Sequence, residues 1–113
     1  MADNYLGFDE KFVSKIKNGE KSSTLRYPSE RINMLKVGME LDAITSHDRG
    51  SFAVLQITDK TPMTVEEIIQ TQFNHHQNYD SIEDFNRSMS EYYEPPFDGS
   101  DEFVLIDFIV VDK

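Results

Sequence analysis

The stretch that decides the fold is Phe103-Val104-Leu105-Ile106-Asp107-Phe108-Ile109-Val110-Val111. Its β-branched and aromatic side chains favour an extended strand. Because the run is long and nearly all apolar, it is the best candidate for a central strand. Asp107 interrupts the run, so we expect its carboxylate either to face solvent or to pair with a cation such as Lys21 or Arg26.

Four further strands are predicted upstream of this run. Residues 39–46 and 51–59 flank a turn at residues 47–50, which is the pattern of a β-hairpin. Residues 4–8 and 22–27 form shorter strands. Residues 31–37, which lie between a proline and Gly38, are interpreted as a loop or short turn.

Helices are predicted from their N-terminal caps. Asp9 precedes an apolar stripe of period four, and Gly19 ends that helix as a C′ glycine. Thr64 and Glu67 form a capping box, and Ser81 is the cap of a later helix. The predicted helices cover residues 9–18, residues 65–73, and residues 82 onward to the Pro95-Pro96 pair.

The resulting order is β-α-β-β-β-α-α-β. Hairpin-linked strands with helices between them predict an α+β fold, a small β-barrel of mixed or antiparallel strands with flanking helices. A length of 113 residues corresponds to one domain spanning residues 1–113.

The charge of the chain constrains its partners. Eleven basic and 21 acidic residues give a net charge of −10, which disfavours binding to long nucleic acid. The first third of the chain is nevertheless rich in cations, so a small anionic or polar ligand is expected there. These cations are Lys15, Lys17, Lys21, Arg26, Arg31 and Lys36.

The composition also excludes several classes of site. No cysteine is present, which excludes disulfides, zinc ribbons and thiol nucleophiles. His75 and His76 are adjacent, so on a helix they would point in different directions, and we expect no metal and no cofactor. No signal peptide or membrane span is predicted, because no apolar run approaches ~20 residues. The expected location is the cytoplasm.

The segment Gly19-Glu20-Lys21-Ser22-Ser23-Thr24-Leu25-Arg26 is the candidate site. One interpretation is an ordinary turn followed by the edge of a strand. The alternative interpretation is a functional site, because Thr24 and Arg26 lie two residues apart in a strand and therefore point to the same face. Lys21 joins that face only if residues 21–23 form a turn or bulge.

These three residue types together suit amide or ester hydrolysis. The hydroxyl of Thr24 is a weak nucleophile and needs a base. Lys21 acts as that base only when neutral, and both burial and the nearby Arg26 would lower its pKa. Arg26 could also hold a carbonyl group or a developing oxyanion.

With this segment, the chain resembles the ASCH domain family, whose fold is PUA-like. The resemblance covers nearly the whole chain and rests on Gly19-x-Lys21-x-x-Thr24-x-Arg26 within the predicted order of elements. More narrowly, the chain is similar to the small bacterial N(4)-acetylcytidine amidohydrolases. That similarity implies Lys21 as proton acceptor and Thr24 as nucleophile. Arg26 matches the arginine that follows them, and we interpret it as substrate-binding.

The resemblance also implies a glutamate as proton donor, and here the sequence departs from the pattern. No carboxylate lies between Asn74 and Asn78, where that glutamate is expected. His76 could protonate a leaving amine instead, Gln77 could only form hydrogen bonds, and Asp80 is the nearest acid.

Two functional hypotheses follow. The first is an amidohydrolase acting on a small modified nucleoside, and the second is a non-catalytic module that binds RNA or a nucleotide in the same cleft. The expected partner is therefore a small-molecule nucleoside or a short RNA. Tyr92, Tyr93 and Phe97 either stack a base or pack at the end of a helix.

Overall fold

The structure is a computed structural model that describes residues 4–46, 48–73, 78–90, 92–94 and 96–112. These ranges contain a mixed β-sheet and several short helices, which confirms the predicted α+β class. A 3-10 turn at Glu10–Phe12 precedes α1. The elements are β1 (Tyr5–Phe8), α1 (Val13–Lys17), β2 (Ser23–Arg26), α2 (Glu30–Met34), β3 (Glu40–Thr45), β4 (Ser51–Thr64), α3 (Val65–Gln70), α4 (Ile82–Met89) and β5 (Glu102–Asp112).

The strands form one mixed sheet of five, in the order β1-β3-β4-β5-β2. β1 runs parallel to β3, and the other neighbours are antiparallel. β5 lies between β4 and β2, which confirms that residues 103–111 form an interior strand. β4 runs on to Thr64, past its predicted end at residue 59. Its register with β5 shifts between Val54 and Leu55 and again between Ile57 and Asp59, as happens where a bulge bends a strand.

The predicted barrel is wrong in one respect, because the sheet is not closed. β1 and β2 are the two edges, and no ladder joins them in the described part of the chain. Side chains occupy the gap instead. The Arg26 guanidinium packs over the ring of Phe8, 5.0 Å from its centre. Its Nη2 donates a hydrogen bond to the Gly7 carbonyl at 2.7 Å, so one side chain joins the two edges.

The predicted caps position the helices. The Asp9 carboxylate accepts from the Lys11 amide at 3.1 Å, although it caps the 3-10 turn and not α1 directly. Thr64 and Glu67 form both bonds of the predicted capping box. The Ser81 hydroxyl accepts from the Asp84 amide and begins α4.

α2 lies where a loop was predicted. The Ser29 hydroxyl caps it by accepting from the Ile32 amide at 3.2 Å. At the other end, Lys60 Nζ donates to the carbonyls of Ile32 and Leu35 at 2.9 and 2.6 Å. Ile32 and Leu35 are buried, so the short helix is held by packing and by a distant lysine, not by its own periodicity.

Hydrophobic clusters cover both faces of the sheet. The first cluster packs α1 and α2 against the face that carries Ile106 and Phe108 of β5. The second packs α3 and α4 against the face that carries Phe103. β2 contributes to both sides, because Leu25 joins the second cluster while Thr24 lies opposite Ile106. No helix in the described ranges is long and apolar enough to cross a membrane.

Candidate functional site

A cavity of about 660 Å³ opens beside the edge strand β2. Residues from both edge strands line it, together with side chains from α1, from the end of α4 and from the segment that follows α4. The three predicted site residues line it together. They are Lys21, Thr24 and Arg26.

A tight turn brings Lys21 to this cavity. Gly19 has a φ of 85°, a conformation that glycine adopts without strain, and it ends α1. The Lys21 amide then donates to the Lys15 carbonyl at 3.0 Å, before β2 begins at Ser23. Because Lys21 precedes the strand, strand alternation does not direct it to the opposite face. Residues 18 and 19 form the turn, residues 21 and 22 are irregular, and Ser23 already begins β2 with no register shift. The turn or bulge predicted at residues 21–23 is therefore absent, although Lys21 lines the same cavity as Thr24 and Arg26, and the catalytic roles remain predictions.

The Thr24 hydroxyl is buried, with 6% of the residue exposed. Its Oγ1 accepts a hydrogen bond from Arg26 Nε at 3.1 Å. A cationic donor at this oxygen stabilises negative charge that develops on it. The bond also leaves the hydroxyl's own proton available for transfer to a base.

The Lys21 amine is partly buried. Its Nζ donates to the Ser23 carbonyl at 2.9 Å and lies 4.8 Å from the centre of the Phe12 ring. Burial, followed by the positive charges of Arg26 and Lys15, lowers the Lys21 pKa to about 8. About half of the Lys21 side chains are therefore neutral at pH 8 and able to accept a proton.

Arg26 is held between the two edges of the sheet. Burial lowers its pKa, but a guanidinium remains charged at ordinary pH. Its donors reach Thr24 Oγ1 and the Gly7 carbonyl. No carboxylate pairs with it among the residues that the structure describes.

Asp107 does not supply the missing carboxylate. It lies opposite Ser23 in the β2–β5 ladder, and therefore on the sheet face that Thr24 and Arg26 do not share. Desolvation and the neighbouring Asp59 raise its pKa. The predicted pairing of Asp107 with Lys21 or Arg26 is thus wrong, and its alternative, a position facing solvent, is met only in part because the residue is half-buried.

Aromatic side chains form a second wall of the cavity. Tyr93 packs edge to face on Phe103 and Phe97, and its hydroxyl accepts from the Tyr27 amide at 3.1 Å. Tyr93 and Phe97 thus pack at the end of α4, as one of the two predicted alternatives requires. Tyr92 is 48% exposed and lines the cavity, where a planar ligand can reach it.

Tyr79, which follows the segment expected to hold the proton donor, lines the cavity. Residues 74–77, which include His75, His76 and Gln77, lie outside the described residues. Asn78 bonds both backbone groups of Phe73, and the Asp80 amide bonds the Asp84 carboxylate.

Sequence reasoning missed two further residues of the cavity, Tyr79 and Glu20. Burial raises the pKa of Tyr79, so its hydroxyl stays protonated. The Glu20 carboxylate accepts from Asn18 Nδ2 at 3.2 Å, and its place between Gly19 and Lys21 was the only signal for it. Among the described residues, no three His, Asp or Glu side chains are grouped as a metal site requires.

No protein-family model matches the sequence, and no curated protein matches it. Several solved structures are similar over almost the whole chain. An ASCH domain from Lactobacillus crispatus is 13% identical, with a TM-score of 0.66 over 99% of this chain and 82% of that one. A protein from Enterococcus faecalis is 16% identical, with a TM-score of 0.70 over the same shares. A variant of the Zymomonas mobilis ASCH protein is 8% identical, with a TM-score of 0.65 over 93% of this chain and 67% of that one. The chain therefore has the fold of the ASCH domains, with which the predicted PUA-like architecture agrees.

Proposed function

We propose that the protein is an amidohydrolase that removes the acyl group from the exocyclic amine of a modified nucleoside such as N(4)-acetylcytidine. One observation carries this proposal: a lysine with a pKa of about 8 lines the same cavity as a buried threonine hydroxyl. Binding alone has no evident need for a partly neutral amine at that position. The ASCH fold and the Gly19-x-Lys21-x-x-Thr24-x-Arg26 spacing support the same reaction.

The first step forms a tetrahedral intermediate. Neutral Lys21 Nζ takes the proton of Thr24 Oγ1 while that oxygen attacks the acetyl carbonyl carbon. The Arg26 guanidinium stabilises the negative charge that develops on the oxygens of the tetrahedral intermediate.

The second step releases the amine. The carbon–nitrogen bond breaks, and the leaving nitrogen takes the proton that Lys21 has just accepted. The carbon–nitrogen bond cleavage leaves the acyl ester on Thr24. Lys21 then removes a proton from the water that attacks this ester and returns that proton to Thr24 Oγ1 as the ester bond breaks, so the Thr24 hydroxyl is restored and acetic acid leaves and ionises to acetate. In this cycle one lysine supplies base and acid in turn, so the protons balance without a glutamate at residues 74–78.

The test is incubation of the purified protein with N(4)-acetylcytidine, with cytidine and acetate measured by chromatography. We expect release that disappears in Lys21→Ala and in Thr24→Ala, and that persists in part in Thr24→Ser because the hydroxyl is kept. Full activity of Thr24→Ala would show that the nucleophile is wrongly assigned. No release at high protein concentration would reject the amidohydrolase.

A second candidate is a non-catalytic module that binds a nucleotide or short RNA in the same cavity. The exposed ring of Tyr92 on the cavity wall favours it, since base–aromatic stacking is a common mode of single-strand binding. Binding of cytidine without hydrolysis of acetylcytidine would select this function over the first.

A further inference from the structure

The cavity carries more positive charge than its own side chains neutralise. Four cations line it, in a chain whose net charge is −10. They are Lys11, Lys15, Lys21 and Arg26. Two carboxylates, Asp9 and Glu20, also line it, so the cations outnumber the anions. Within the described part of the chain, none of Lys15, Lys21 and Arg26 forms an ion pair.

Such an arrangement favours an anion in the cavity. A buried cation without a countercharge is unfavourable, because desolvation is not repaid by attraction. Arg26 meets only a hydroxyl and a carbonyl, and Lys21 meets only a carbonyl. A ligand that brings a negative charge removes this imbalance.

Lys15 and Lys21 are near enough for the charge of Lys15 to lower the Lys21 pKa. The Lys21 amide donates to the Lys15 carbonyl at 3.0 Å, which fixes the end of α1 against the start of the turn. Lys15 is exposed whereas Lys21 is half-buried. Together they form a basic wall that runs from the mouth of the cavity inward, with Tyr92 also lining the cavity.

We infer that the cavity binds a nucleoside 5′-monophosphate, with the phosphate at Lys15, the base against the Tyr92 wall and the exocyclic amine of the base toward Lys21 and Thr24. The nucleoside part of this inference rests on the proposed function, whereas the phosphate part rests on the charges alone. A single nucleotide fits better than a long strand, because the net charge of −10 repels an extended polyanion.

Titration calorimetry with cytidine and cytidine 5′-monophosphate at low salt tests the inference. We expect the monophosphate to bind at least about tenfold more tightly, since hydrogen bonds to charged groups are the strong ones. The preference should shrink at high salt. Lys15→Met should lose most of it. Lys17→Met is the matched control, because Lys17 is on the same helix but lines a different depression.

The inference would be overturned if cytidine and its monophosphate bound with equal affinity, or if neither bound. An equal loss of the phosphate preference in Lys15→Met and Lys17→Met would also overturn it. So would tighter binding of a cytidine dinucleotide than of the monophosphate. The last would identify short RNA as the ligand. Neither ligand is acetylated, so the outcome is independent of hydrolysis. A preference for the monophosphate without hydrolysis of acetylcytidine would support the anion site and reject the amidohydrolase. Hydrolysis without that preference would support the amidohydrolase and reject the anion site.

Discussion

Two partly buried lysines, Lys21 and Lys60, differ in the number of backbone carbonyls that accept a hydrogen bond from the side-chain amine. Lys60 Nζ donates to two carbonyls at the end of α2, at 2.9 and 2.6 Å. Lys21 Nζ donates to one carbonyl, at 2.9 Å, and faces a cavity that also holds Arg26. Burial and nearby cations lower the pKa of both lysines, with Lys36 the cation at Lys60. The two carbonyl acceptors at Lys60 oppose that effect by favouring its ammonium form.

The comparison shows what separates a structural lysine from a reactive one in the same small domain. A lysine that satisfies the carbonyls at a helix end stabilises the fold as a cation. A lysine that is more deeply buried and has only one acceptor, such as Lys21, is destabilised as a cation and gains reactivity as an amine.

The largest expected difference is in catalysis. Lys21→Met should lower kcat/KM for N(4)-acetylcytidine by about 10³-fold, because the general base is lost. Lys60→Met should leave kcat/KM essentially unchanged. Steady-state rates of the two variants at one pH measure the difference, and similar losses in both would abolish the distinction.

The pH dependence should follow the Lys21 amine. Its neutral form is the reactive one, so kcat/KM should rise about 50-fold from pH 6 to 8 and about twofold more before it levels off above about pH 9, since the Lys21 pKa is about 8. Lys60→Met should show the same profile. A profile that is flat from pH 6 to 9 would mean that Lys21 is not the base.

Stability should change in opposite directions at the two sites. The Lys21 pKa is about 8 in the folded protein, below its ordinary value of 10.5. The unfolded chain therefore binds the proton more tightly between these values, and stability rises with pH across that window. At pH 7 the whole penalty is present, so Lys21→Met should raise the free energy of unfolding by about 1–3 kcal/mol.

Lys60→Met should lower that free energy by about 1–3 kcal/mol, because two carbonyls lose their donor. Urea denaturation at pH 7 and pH 10 measures both variants. A gain for Lys21→Met that is as large at pH 10 as at pH 7 would show that the gain does not come from the charge.

The smallest effect concerns the cationic neighbours of Lys21. Lys15→Met removes one of the charges that lower the Lys21 pKa, so the midpoint of the pH profile should move upward by less than about half a unit. Lys17→Met should not move it. A downward shift would contradict the assigned electrostatics.

Local sequence signals predicted the parts of the fold that local interactions determine. The caps at Asp9, Thr64 and Ser81 act within three residues of themselves, and the structure contains all three bonds. Gly19 and the Lys21-to-Arg26 spacing likewise describe a turn and a strand in continuous sequence. These signals were enough to bring Lys21, Thr24 and Arg26 to one cavity.

The parts that were missed depend on distant partners. The C-terminal carbonyls of α2 accept hydrogen bonds from Lys60, which lies about one quarter of the chain away. No pattern in residues 31–37 predicts that donor. The open sheet depends on which strands pair, which is a property of the whole chain. Tyr79 reaches the cavity only because α4 packs on α3.

The hydrogen bond from Arg26 to the Gly7 carbonyl makes the width of the cavity entrance depend on one side chain. In a closed barrel, the size of the mouth follows from the number and stagger of the strands. Here the seam between β1 and β2 is spanned by one side chain, which packs over Phe8 of the first hydrophobic cluster. The width of the entrance can therefore drift with a single substitution at position 26, so ligand size can change between relatives that share the same scaffold.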